Sequence, residues 1–195
     1  MKDMKDLKQV KDMKETNEKN KNHYAENMLK GRMAETLVDE MLKRSGNMVY
    51  RFGFEAVLEN LTQIESKFDR NTKVAERLRA IPDLVVLDAK GELALVEVKF
   101  RWDPDALLYD NTIELLDRVE KYWNADIVFV NCFEKPYFRI CRPPYFKNFS
   151  QPKKGLDFKP LMSVSDWNIP QEVYDEYESL VEKYLTPTMR KEEEK

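Results

Sequence analysis

The chain has 195 residues, 42% of them hydrophobic and 35% charged, with a net charge of −3. That length suits one compact domain with tails, and the apolar share is enough for a core. No apolar run approaches the ~18 residues of a membrane span, and the charged start lacks a signal-peptide core, so a cytoplasmic protein without a membrane partner is expected.

The single histidine, His23, lies beside the charged start of the chain, which argues against a serine–histidine triad and excludes histidine-rich zinc sites. Cys132 and Cys141 are too few for a disulfide framework and fit no zinc spacing, so both read as thiols in or beside strands. No Gly-rich phosphate loop of the Walker type occurs. Hydrolytic chemistry in this chain is therefore expected to run on carboxylates, lysine and an oxygen-bound metal such as Mg²⁺.

Residues 1–22 repeat a triplet, Met1-Lys2-Asp3, Met4-Lys5-Asp6, Leu7-Lys8-Gln9 and onward. A step of three drifts about 60° backward per triplet on an α-helix, so the apolar residues spiral around it. A charged, flexible arm is expected, with a partner-binding or dimer-forming segment as the alternative. Leu29, Met33, Leu37, Val38 and Met41 recur at helical spacing and predict a helix over 24–44, with Gly46 as its C-cap. Residues 48–54 alternate as a strand, and 55–68 read as helical. Asp69 to Thr72 breaks that helix, Thr72 caps a short one ending at Arg79, and Pro82 ends any helix.

A strand over 84–87, a turn over 88–91 and a strand over 92–100 follow. After a loop at 101–110, a helix over 111–123 turns Ile113, Leu115, Leu116 and Val119 inward. Strands are predicted at 126–132 and 137–141, the latter ended by Arg142-Pro143-Pro144. Residues 145–168 look irregular, and Pro170 at N1 opens a last helix to about 185. This order predicts an α/β fold with a mixed central sheet flanked by helices. It divides into an arm (1–22), a core (23–145) and a C-terminal extension (146–195) carrying a helix at about 170–185.

The informative segment is Pro82 to Lys99. Gly91 suits the left-handed position of a three-residue loop, 89–91. That loop pairs Asp88 with Glu92, Leu87 with Leu93, Val85 with Leu95, and Asp83 with Glu97. Two acids directly opposite each other repel, and Lys99 joins them on the same face. Two carboxylates plus a backbone carbonyl form a set that Mg²⁺ accepts. The alternative is that Asp83 merely starts a strand and Glu97 pairs with Lys99 at the surface.

Pro82-Asp83, followed by Glu97-Val98-Lys99 on the next strand, resembles the motif of the PD-(D/E)xK nucleases. Gly31-Arg32-Met33-Ala34-Glu35 is similar to the G-x-x-x-E element of resolvase-like members. The resemblance covers roughly residues 24–132. It implies a restriction-endonuclease-like core and a metal-dependent endonuclease acting on DNA, with RNA as an open alternative. It further implies Mg²⁺ or Mn²⁺ on Asp83, Glu97 and the Val98 carbonyl. Lys99 would orient or help deprotonate the attacking water, and Glu35 would act on the metal through water or hold a second ion. A homodimer follows by analogy.

Glu35 has the alternative of pairing with Arg32 or Lys30, and Asp39 is its rival. The helix after the motif reads Glu114 to Tyr122 without the Gln of exonuclease-like members. A catalytically silent relative that binds nucleic acid or a protein partner is the competing reading.

From Lys135 to Lys159, basic residues interleave with Tyr137, Phe138, Tyr145, Phe146, Phe149 and Phe158. Arg142, Lys147, Lys153 and Lys154, together with Arg101 and Lys121, are candidate nucleic-acid contacts. Core packing of the aromatics, and a solvated helix face for Lys121, are the alternatives. Acids concentrate afterwards, from Glu172 to Glu194, which segregates charge along the chain.

Overall fold

A computed structural model of the chain describes residues 25–53, 69, 71–101, 110–145, 158–164 and 166–186. The expected arm (1–22), the helix at 55–68, most of the loop at 101–110, and Lys147, Lys153 and Lys154 lie outside these residues. By its contacts the chain forms two compact units, Met1–Met33 and Ala34–Lys195. In the first, Lys30 pairs with Glu26 at 3.0 Å, one turn away. The sheet and the candidate site belong to the second.

Helix α1 spans 25–44. Its second half buries Ala34, Val38, Met41 and Leu42 completely. Gly46, at φ +88°, turns the chain out of the helix into β1 (Met48–Arg51). This strand is shorter than the alternation predicts. The Phe52 and Gly53 amides both donate to the Asp83 carbonyl, at 2.8 and 3.2 Å, and that turn ends the ladder.

Helix α2 (Lys73–Arg79) starts where expected, with the Thr72 hydroxyl accepting from the Ala75 amide. β2 (Leu84–Leu87) and β3 (Leu93–Arg101) form the predicted hairpin. Gly91 takes φ +84°, and the Asp88 carboxylate accepts the Lys90 and Glu92 amides at 2.8 Å each. α3 (Asp110–Trp123) then crosses back to β4 (Asp126–Asn131). β5 (Phe138–Cys141), the two-residue β6 (Lys159–Pro160) and α4 (Gln171–Tyr184) complete the fold.

Among the described residues these strands make one six-stranded sheet in the order β1-β2-β3-β4-β5-β6. Only β3 and β4 run parallel, as a helical crossover requires; the other pairs are antiparallel. The chain is therefore a mixed α/β fold with a central sheet flanked by helices. On one face α3 packs Leu116 and Val119 against Ile127, Phe129 and Cys141, with Leu95, Ile113 and Leu115 alongside. On the other, Tyr174 of α4 stacks edge-on against Phe138, 5.9 Å between centroids, and α1 joins α4 through the Arg44–Glu176 ion pair at 2.5 Å.

Two readings change in the C-terminal part. Pro170 is the N-cap of α4 and not its first helical residue, because its ψ of 145° is extended. The stretch expected to be irregular supplies the edge strand β6, too short to leave an alternating pattern. Cys132 and Cys141 are buried, Cys141 within β5 and Cys132 just after β4. No helix among the described residues is long and apolar enough to cross a membrane.

Candidate metal centre

The hairpin register decides which side chains meet. Leu87 pairs with Leu93, Val85 with Leu95 and Leu84 with Val96. One further step sets Asp83 opposite Glu97, as the sequence predicts. Lys99 follows on the same face of β3.

Asp83 is fixed from two sides. Its Oδ2 accepts the Val98 amide at 2.8 Å. Its Oδ1 lies 3.6 Å from where a Cβ on Gly53 would sit, so only backbone approaches it there. The Val98 contact also orients the neighbouring carbonyl. In a strand the N–H and C=O of one residue point to the same side, so the Val98 carbonyl faces Asp83 too. Continuing the register places Pro82 opposite Val98. Proline has no N–H, so the ladder offers that carbonyl no donor.

Glu97 is 5% exposed. Its Oε1 pairs with the Lys99 ammonium, whose side chain is 22% exposed. Its Oε2 is buried and has no hydrogen-bond partner. Burial pushes the Glu97 carboxyl up to about 7; Lys99 opposes this, and the charges of Asp83 and Glu35 add to it. For Lys99, burial works against the ammonium, but the Glu97 and Asp83 carboxylates outweigh it and hold its pKa above the usual lysine value. The charges of Lys99, Asp83 and Glu35 thus all bear on the Glu97 carboxyl.

Among the described residues, no group of three or more His, Cys, Asp or Glu side chains is gathered closely enough to hold a metal. The close set is narrower: two carboxylates facing each other, one backbone carbonyl, and Glu35 acting through its field. The orphaned Glu97 oxygen is the observation that a hard cation fits, since an unanswered buried carboxylate oxygen is costly.

The rival for Glu35 is otherwise engaged. Asp39 is buried and paired with Lys43 at 2.8 Å and Arg51 at 3.4 Å. The described nucleic-acid candidates lie on different elements. Arg101 continues the Glu97–Lys99 row. Lys121 is exposed on α3, with its ammonium 5.0 Å from the Tyr122 ring centre. Arg142 is held between Asp126 (3.3 Å) and Asp166 (2.6 Å), so its charge is already answered. Lys135 and Arg139 likewise pair with Glu182 and Glu134. Of the interleaved aromatics, Tyr137, Phe138 and Tyr145 are buried, and Phe158 packs edge-on against Phe129 at 4.6 Å. They serve the core.

Sequence reasoning missed Thr112, which holds Arg101, and Glu178, which accepts the Tyr137 amide from α4 at 2.6 Å. Neither sits in a spacing that marks it; both depend on which elements pack together. No family model, curated protein or solved structure matches this chain.

Proposed function

We propose that this chain hydrolyses phosphodiester bonds in nucleic acid, most directly in DNA as an endonuclease, with Mg²⁺ or Mn²⁺ as cofactor. The observation that carries the cation is the buried, unpartnered Oε2 of Glu97 opposite Asp83. Lys99 answers only part of the negative charge that Asp83 and Glu97 bring together. Asp83, Glu97 and the Val98 carbonyl would hold the ion, and Glu35 would assist through water. Bound there, the ion would supply Lewis-acid charge to a phosphate and make water a better nucleophile. Lys99 keeps a positive charge beside the reacting position, where it stabilises negative charge that develops on phosphate oxygens. The nucleic-acid substrate rests on the likeness of Pro82-Asp83 and Glu97-Val98-Lys99 to the PD-(D/E)xK pattern, and so does the restriction-endonuclease-like core.

The test is cleavage. Branched, single-stranded and duplex DNA, with an RNA counterpart, are incubated with the full chain in Mg²⁺, Mn²⁺ or EDTA. At least one substrate is cut in metal and none in EDTA, and Lys99→Ala abolishes cutting while circular dichroism stays unchanged. Intact substrates in every metal would overturn the proposal.

A further inference from the structure

Side chains along β3 repeat on one face every second residue, a step of about 7 Å, so Glu97, Lys99 and Arg101 form one row. The first two answer each other. Arg101 is different. Its Nη1 donates to the Phe100 carbonyl at 2.8 Å, and its Nη2 donates to the Thr112 hydroxyl at 3.3 Å. Both acceptors are neutral, and among the described residues no carboxylate forms an ion pair with it. Thr112 is 4% exposed, in the first turn of α3, so the tether is fixed.

A guanidinium has five N–H donors in a rigid planar fork. Among the described residues two are used, and they hold the plane in place. Burial lowers the Arg101 pKa, with the Glu97 charge working against that. A half-buried cation that, among the described residues, is tied to neutral oxygens gains most from an anion that accepts two parallel N–H bonds. Phosphate is such an anion, and Arg reads it bidentately where Lys acts as a point charge.

We propose that Arg101 grips a backbone phosphate next to the one attacked beside Lys99, with Thr112 as the positioning residue that aims the fork. The inference rests on the nuclease reading for the identity of the ligand. It assigns the row three different tasks: Glu97 for the cation, Lys99 for the reacting phosphate and Arg101 for its neighbour. A substrate with phosphates on both sides of the cut is then preferred over a minimal phosphodiester.

The test is binding, measured in EDTA so that cleavage does not intervene. The full chain is titrated into a short fluorescein-labelled oligonucleotide and into the same sequence with an uncharged methylphosphonate backbone, at several salt concentrations. Arg101→Ala is expected to weaken binding of the charged strand about tenfold and to lower the salt slope by about one. The methylphosphonate strand should be insensitive to the change. Arg101→Lys should recover part of the affinity. Thr112→Val, which keeps the guanidinium and removes one of its two described tethers, should fall between.

Equal affinity and salt slope in folded Arg101→Ala overturn the inference. Should that variant fail to fold, Thr112→Val and Arg101→Lys at wild-type affinity overturn it as well. A parallel cleavage assay separates the two claims. Cutting that persists in Arg101→Ala with unchanged KM sinks the phosphate grip and leaves the nuclease reading. An Arg101-dependent affinity without metal-dependent cutting does the reverse. A wild-type chain that binds neither strand overturns the grip.

Discussion

Glu97 is the residue on which the site's energetics turn. A carboxylate this buried normally has every oxygen answered, and here one oxygen is not. A cation that binds the folded chain and ignores the unfolded one stabilises it by mass action. At a hundredfold excess over its Kd, Mn²⁺ should add about 2.7 kcal/mol, a rise of roughly 5–10 °C in Tm for a chain of this size. Glu97→Gln should keep the fold and lose most of that rise, because an amide is a poor ligand for a hard cation. A Tm of the wild-type chain that ignores Mn²⁺ would contradict this. The pairing of Glu97 with Asp83 was legible in the sequence, since strand parity and the loop length fix it. The depth of burial was not. It depends on α3 lying over the same face of the sheet, and no spacing along β3 records that.

At the scale of elements, the point at which β2 stops shapes the centre. The ladder runs to the Leu84–Val96 pair and then ends, while β3 continues to Arg101. Pro82 enforces the stop because it has no amide to offer Val98. Pro82→Val restores a donor at that position. The ladder is then expected to extend and engage the Val98 carbonyl, with the fold intact and stability changed by no more than about 1 kcal/mol. The Mn²⁺-dependent rise in Tm should fall by at least half; an undiminished rise would show that the carbonyl plays no part. The hairpin itself was readable from Gly91, whose left-handed conformation the three-residue loop demands, and from the alternation on either side. The end of β1 was not readable. Phe52 and Gly53 continue its pattern but spend their amides on the Asp83 carbonyl.

At the scale of the whole molecule, the second unit depends on side chains that join distant segments. Glu178 of α4 reaches across to accept the Tyr137 amide, and both residues are buried. Glu178→Ala leaves that N–H without an acceptor and should cost about 2 kcal/mol, roughly 6 °C in Tm, whereas Glu178→Gln keeps an acceptor and should cost much less. Equal losses in the two variants would assign the effect to packing. Contacts of this kind explain why helix and strand positions could be read along the chain while the grouping of α1 with α4 could not. The sheet order has one more consequence. β3 lies inside the sheet, with β2 on one flank and β4 on the other. Backbone amides there trade hydrogen for solvent deuterium only when the sheet as a whole comes apart. The candidate centre should therefore keep its shape up to the melting transition, with the Val96 and Glu97 amides among the slowest to label.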